Sequence, residues 1–408
     1  MEKRRAKLRR NARLLFFITA CMEFKSMNAF MTLFYLRRGV GMSALFILAI
    51  VFSVTTLISE VPSGYLADRI GRKRTLLFGA AFGVASQAVL FNAYGVRLYV
   101  VSLVMYSLAC SCFSGTQEAL LYDGLQETNE SHRMTEKNGR MLAGRQISKI
   151  ILPVLGSLIA RDLREWQFKL LIGLDMLGMA IAFVLILFLL EPKRESRTVR
   201  PSVAYRGIFR ESLATIRDQP FLLRAGMNNK LVFITAFIFW RSYQPFLESH
   251  GRGGVWLSVT YFFANIVMVG FFWTASTWEK RFGTASILQW TSGIGLIGCL
   301  ALLATDRPWL VFLIVTMTFT VVPLRDPVFA HVLNTRIDSQ SRATTLSNLN
   351  MLKAVLDIPI LLLTAFVTSY DLRYAFAVCA ALHLLALVAF PVRARDLRMS
   401  SLPESVPS

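Results

Sequence analysis

Charge is what this sequence is short of. Only 17% of its 408 residues are Asp, Glu, Lys or Arg, against about 25% in a soluble globular chain. Acids are the scarcer kind, with 25 Asp and Glu set against 45 Lys and Arg. Too little charge to cover a wetted surface argues against a soluble enzyme or a soluble nucleic-acid binder. Histidine is nearly missing: His132, His250, His331 and His383 are scattered without ligand spacing. The five cysteines (Cys21, Cys110, Cys112, Cys299, Cys379) are odd in number, lie in apolar stretches and form no CxxC pair. A zinc site and a disulfide framework are therefore unsupported. No Walker lysine motif occurs, so ATP does not drive the protein directly, and no cofactor or metal is expected. Gly293, Gly295 and Gly298 spell GxGxxG, but inside an apolar run with no strand before it, which reads as helix packing.

What is abundant is hydrophobicity: 54% of the residues are apolar, 31 of them Phe, and the mean hydropathy is +0.50. A helix crossing the hydrocarbon core needs about 20 apolar residues. Twelve windows qualify, near 14–36, 42–63, 75–92, 97–120, 141–160, 168–190, 223–246, 255–277, 285–304, 308–332, 345–368 and 373–391. The expectation is an all-α integral membrane protein of twelve transmembrane helices in two pseudo-symmetric six-helix bundles, 1–190 and 223–408. A polar, basic cytoplasmic linker, 191–222, joins them. The first apolar run is too long for a signal-peptide core and lacks a small-residue cleavage site, so it reads as a retained span. With the N-terminus inside, cytoplasmic segments hold roughly thirty Lys and Arg and external ones roughly eight. Both termini are then cytoplasmic, in the inner or plasma membrane, and the basic excess is topogenic, with attraction to lipid headgroups as a by-product. The lipid bilayer is the expected partner, nucleic acid is not, and the chain is expected to be a monomer.

The turn after the second window reads Gly64-Tyr65-Leu66-Ala67-Asp68-Arg69-Ile70-Gly71-Arg72-Lys73-Arg74-Thr75-Leu76. Gly64 removes a side chain where helices approach closely, and Gly71 permits a sharp turn. Asp68 is an anion suited to the positive end of a helix. A weaker copy, Lys280-Arg281-Phe282-Gly283, follows the eighth window. The first run resembles the signature G-x-L-A-D-R-x-G-R-K-x-x-L between helices two and three of the major facilitator superfamily. Every fixed position matches, and the likeness of spans and loops extends over essentially the whole chain. It implies that fold, with Asp68 set against helix eleven and Arg72 paired with an acid at the cytoplasmic end of helix four, the place Asp123 holds. Gly64, Asp68, Arg69, Gly71, Arg72, Lys73 and Asp123 would then form an inner gate. Residues 334–352 are similar to the family's turn between helices ten and eleven. Exporters of the family carry R-x-x-Q-G in helix four, where Ser111 stands at the arginine position. Their helix-five run G-P-x-x-G-G is matched in part by Leu152-Pro153-Val154-Leu155-Gly156-Ser157. Small residues with one proline equally mark a kinked packing helix.

Ionisable groups inside spans are costly unless they face a partner or a cavity, so each is a functional candidate. Helix one carries Glu23, Lys25 and Asn28. At about 100° per residue Lys25 and Asn28 share a face while Glu23 points nearly opposite, so no simple intrahelical pair is expected. Glu23 is either a proton or substrate site or one half of a static ion pair with another helix. Glu60 is assigned to the inner gate. Glu118 is a coupling candidate whose plainer role is to pair with Arg145 or Lys149. Arg325 and Asp326 fall in helix ten. Lys353 and Asp357, at i and i+4 in helix eleven, allow a local pair, and Asp326 or Asp357 exchanging partners as the halves rock is the sharper alternative. Trp240, Arg241, Tyr243 and Gln244 form a polar–aromatic patch that either contacts an amphipathic substrate or anchors at the interface. Lys25, Asn28 and Arg325 complete the candidates for a substrate cavity.

The reading is a secondary active transporter working by alternating access. Proton-coupled efflux of a small amphipathic or drug-like molecule is placed ahead of uptake or facilitated diffusion of a metabolite. Protons are the expected coupling ion, since each charge moved through 100 mV is worth ~2.3 kcal/mol. A polytopic membrane enzyme needs clustered acids or a base on a loop, and the linker offers only Glu191, Glu195, Glu211 and Asp218 scattered among basic residues. A non-transporting sensor or scaffold is the other class, separated from the first by flux alone.

Overall fold

The computed structural model describes residues 2–160, 162–193, 220–325, 328–329 and 342–393. Among these residues the chain is helical throughout, without a strand, and it divides into two compact units, Met1–Pro201 and Ser202–Ser408. In the first unit, helix α1 (Glu2–Met22) leads through a 3-10 turn (Ser26–Ala29) into the short α2 (Met31–Arg37). There follow α3 (Met42–Ile70), α4 (Arg72–Phe91), α5 (Val96–Phe113), α6 (Thr116–Glu127), α7 (Met134–Ile159) and α8 (Glu165–Leu187). The second unit holds α9 (Pro220–Ser249), α10 (Val255–Phe282), α11 (Thr284–Ala304), α12 (Pro308–Val321), α13 (Arg342–Thr368) and α14 (Tyr374–Val388).

Six helices among the described residues are long and apolar enough to cross a bilayer, or up to eight if each bent pair counts as one span. Three more apolar stretches, Pro308–Leu324, Val355–Thr368 and Tyr374–Val388, are shorter. The twelve expected spans are thus not all met as unbroken membrane-length helices. The first window is the clearest departure: the chain leaves the helix after Met22, and a 59° bend separates Glu2–Ala29 from Met31–Arg37. The α10 window is bent by 72°. The two D-R-I-G and K-R-F-G turns do have one local structure. Gly71 at φ 104° joins α3 to α4 with no loop, and Gly283 at φ 78° joins α10 to α11 in the same way. Those backbone angles are cheap only for glycine.

The first unit's core is aliphatic, with Leu15, Ile18, Leu76, Leu120, Leu121, Met141 and Ile186 all buried. Outer faces are apolar as well, with Ile58 at 64% and Leu158 at 71% exposure, as expected where the solvent is lipid. Hydrophobicity cannot drive helix association there, so small residues and hydroxyls do the joining. Ser59 and Ser111 sit 2.7 Å apart, as do Thr56 and Ser107, which ties α3 to α5. Ser86 donates to the Ser102 carbonyl at 2.8 Å, which ties α4 to α5.

Candidate functional site

The break after Met22 overturns the expectation that Glu23 and Lys25 diverge on a continuous helix. Glu23–Lys25 leaves α1 as a turn, and Lys25 Nζ then lies 2.8 Å from Glu23 Oε2. Arg145 Nε approaches the other Glu23 oxygen at 3.6 Å, and Lys149 adds a third cation within electrostatic reach. Lys25 Nζ also stands 5.7 Å from the centre of the Tyr106 ring, a cation–π contact. One carboxylate therefore faces cations from its own turn and from α7. Asn28, half-buried, lies in the 3-10 turn that follows.

A break in a membrane helix needs partners for its freed backbone groups. Asp175 of α8 supplies them. It is 4% exposed, and its Oδ1 accepts from the Ser26 backbone N–H at 2.8 Å and from the Ser26 hydroxyl at 2.7 Å. The Ser26 hydroxyl also donates to the Leu171 carbonyl at 3.2 Å. Two glycines clear the space. A Cβ on Gly178 would fall 2.5 Å from Phe24 Cγ, and one on Gly156 would overlap the Ser26 carbonyl oxygen. Gly178 carries no local mark and Gly156 is marked only through the partial helix-five run. Asp175, an acid inside the apolar window 168–190, carries the signal of a charge within a span, which sequence reasoning passed over. Asp175→Ala should lower stability by about 2–4 kcal/mol, since it strands a buried N–H and a hydroxyl. Asp175→Asn, which keeps the acceptor oxygen, should restore most of that loss. Chemical unfolding of the three proteins in detergent makes the comparison, and equal losses for Ala and Asn would show that the hydrogen bonds are not what matters.

At the end of the unit that carries Gly71, Arg72 Nη1 lies 2.5 Å from Asp123 Oδ2. Glu191, just beyond α8, caps α4: its two oxygens accept from the backbone N–H groups of Arg72 at 2.8 Å and Lys73 at 2.7 Å. A carboxylate at a helix N-terminus satisfies orphan donors and meets the positive end of the dipole. The Lys73 ammonium donates to the Leu187 carbonyl at 2.7 Å, closing the same junction. Gly64, Asp68 and Arg69 are exposed on the last turns of α3, and a Cβ at Gly64 would meet nothing within 4 Å. Glu60 is exposed too. Glu118, half-buried, does not pair with Arg145 or Lys149 among the described residues, and its Oε2 accepts no hydrogen bond. The chain leaves α5 at Ser114 and turns through Gly115 at φ 70°, which re-aims the first turn of α6, while Arg145 is engaged by Glu23.

In the second unit Arg241 is half-buried, with its guanidinium 5.0 Å from the Trp240 ring centre and 5.6 Å from that of Phe237. Tyr243 and Gln244 are fully buried, Tyr243 against Phe319 with ring centres 4.8 Å apart. The four residues are therefore not one exposed patch. Arg325, 1% exposed, donates to the Ser292 hydroxyl at 2.7 Å and to the Asn228 side-chain oxygen. Asn228 donates in turn to the Ala386 and Phe390 carbonyls at 2.8 and 2.9 Å. This arginine braces α9, α11 and α14 rather than lining open space. Asp357 is buried. Asp326, residues 334–341 and the Lys353 side chain lie outside the described residues. Back in the first unit, sequence reasoning passed over a buried cation away from these candidates. Arg38, beyond α2, is 6% exposed, donates to the Leu90 and Ala93 carbonyls at 2.9 Å each and pairs with Glu165 at 2.6 Å.

The family profile described as Major Facilitator Superfamily matches residues 14–356. No curated protein sequence matches significantly. Among solved structures, a mutant of the nucleoside transporter NupG aligns at TM-score 0.73 and 13% identity, over 94% of this chain and 98% of that one. A POT family transporter in complex with 5-aminolevulinic acid aligns at 0.67 and 12%, over 94% and 96%. The POT family transporter PepTSo aligns at 0.67 and 12%, over 96% and 99%.

Proposed function

The chain belongs to the major facilitator superfamily, and from that premise we propose that this multi-pass membrane transporter exports a small amphipathic molecule in exchange for protons, by alternating access. The observation that carries the proposal is the Glu23 carboxylate held against Lys25, with Arg145 at 3.6 Å, in the interrupted stretch of helix one. Broken helices in transporters place charged and backbone groups where an ion or substrate can bind them, and an acid among several cations can change its proton occupancy when a partner moves. The apolar, aromatic-rich spans favour a greasy substrate. The partial helix-five match around Pro153 and Gly156 favours export over import. The distribution of Lys and Arg supports cytoplasmic termini in the cytoplasmic membrane.

Proteoliposomes enclosing a pH-sensitive dye test the proposal. Under an imposed proton gradient, a panel of lipophilic ions, neutral amphiphiles and metabolites is added from one side. Substrate-dependent loss of the gradient establishes coupling, and its sign separates antiport from symport. Tracer exchange without any proton movement would remove proton coupling and leave a uniporter or another ion.

The turn at Gly71 belongs to the gate in this proposal. Arg72 and Asp123, with Glu191 capping α4, are its fixed part, and Asp68 is the exposed anion beside them. Asp68→Asn should slow transport about fivefold, the equivalent of about 1 kcal/mol of charge–dipole interaction, with expression and melting unchanged. Initial rates of tracer flux check this, and an undiminished rate would take Asp68 out of the gate.

A further inference from the structure

A groove of about 530 Å³ runs between α1, α6 and α7, all within the first unit, and it belongs to none of the sites above. Its charged lining consists of Arg9, Arg13, Arg133, Lys137 and Arg140, with Glu130 the one acid. Glu130 pairs with Arg9 at 2.7 Å and Arg133 at 3.9 Å. Glu136, beside the groove, lies 3.1 Å from Arg133, 3.6 Å from Lys137 and 2.9 Å from Arg140. Five cations thus meet two carboxylates, and Arg13 has no acidic partner within 4 Å among the described residues.

The lining is graded along its length. α1 and α7 start, and α6 ends, at the same polar end, where Arg4 pairs with Glu127 at 2.6 Å. Thr128, Glu130 and Arg133 line the groove there. Moving inward along α7, Arg133 and Lys137 give way to Arg140 and then Ala143, and along α1 Arg9 and Arg13 give way to Phe16 and Phe17. Leu121 of α6 completes the apolar end, and Phe17 remains 55% exposed there. From Leu8 to Phe17 the groove follows α1 for about 14 Å at 1.5 Å per residue, with the last turn, about 6 Å from Arg13 to Phe17, leading into its apolar end.

We propose that this groove binds an anionic phospholipid, with its phosphodiester among Arg13, Lys137 and Arg140 and an acyl chain on Phe16, Phe17 and Leu121. A small soluble anion would use the cations and leave the apolar half empty. A zwitterionic lipid would fill the apolar half without matching the excess positive charge. An amphiphile with a negative head and an apolar chain uses both. The assignment is independent of what the protein transports and in which direction.

Native mass spectrometry of the delipidated full-length protein, titrated with phosphatidylglycerol or phosphatidylcholine, tests it. The wild type should retain phosphatidylglycerol about a hundredfold better than phosphatidylcholine. That preference should vanish in the triple variant Arg13→Gln, Lys137→Gln, Arg140→Gln, because three basic residues near an anionic headgroup contribute about fivefold each (about 1 kcal/mol per residue). Ala143→Trp fills the apolar end, keeps every charge and should also lose retention, which guards against a triple variant that misfolds. Equal retention of the two lipids by the wild type, or a preference that survives in both variants, overturns the proposal. Displacement of the lipid by glycerol phosphate at equal concentration overturns it as well, and reassigns the groove to soluble anions.

Discussion

Glu23→Gln is expected to uncouple transport from the pH gradient while exchange of substrate down its own gradient persists. The reason lies in the charges around residue 23. The carboxylate is 2.8 Å from Lys25 and 3.6 Å from Arg145, with Lys149 near. When the protein changes conformation and these cations draw back, the carboxylate is left in apolar surroundings, where a proton is the cheapest substitute for a lost partner. Glutamine keeps the size and the acceptor oxygen and can neither gain nor lose a proton. Dye-loaded proteoliposomes should therefore show no substrate-dependent proton flux for the variant, with tracer exchange still measurable. A purely static ion pair predicts a different result. Removing the acid would leave half-buried cations uncompensated, and coupled flux, exchange and melting temperature would fall together. A variant still driven by the pH gradient would return Glu23 to that structural role.

How much of this arrangement a sequence can carry depends on how far apart its parts are. The helical, membrane-embedded character is local: apolar windows of span length recur along the chain, and most became helices. The signature turn is local too. A glycine at 71 between two apolar windows announces a backbone angle other residues avoid, and φ there is 104°. The break in helix one is not local. Residues 21–30 read as helix because periodicity assumes that each backbone group bonds within its own helix. What stabilises the alternative is a carboxylate 149 positions away from Ser26 and two glycines on α7 and α8. The α4 cap escaped notice for the same reason, since Glu191 read as an ordinary linker acid and its partners are more than a hundred positions earlier. Arg325 illustrates the reverse case. A charge in an apolar window reads as functional, and a buried arginine that donates to Asn228 and Ser292 also joins three helices. Sequence spacing holds no mark that tells the two apart.

Gly156→Ala is the substitution expected to do the most structural damage for the least chemical change. In a helix interior alanine ordinarily improves on glycine by up to about 1 kcal/mol, and Gly139, on the same α7, should show that behaviour because a Cβ there meets nothing within 4 Å. At Gly156 the added methyl would overlap the carbonyl oxygen of Ser26, a backbone atom held in place by the two hydrogen bonds from Ser26 to Asp175. No side-chain rotation can relieve the contact, so either α7 or the break must move, at a cost of about 3 kcal/mol. Because the break carries Glu23 and Lys25, its movement also disturbs the ion cluster, and coupled transport should fall with stability. Unfolding of Gly156→Ala and Gly139→Ala, measured side by side in detergent, should differ in sign. If the two alanines behave alike, α7 does not pack on the break through its backbone, and the Glu23 site must be held by Asp175 alone. Combining Gly156→Ala with Asp175→Ala separates these cases: two supports of one element should give a total loss well short of the sum of the single losses, because the second change removes a contact that the first has already displaced.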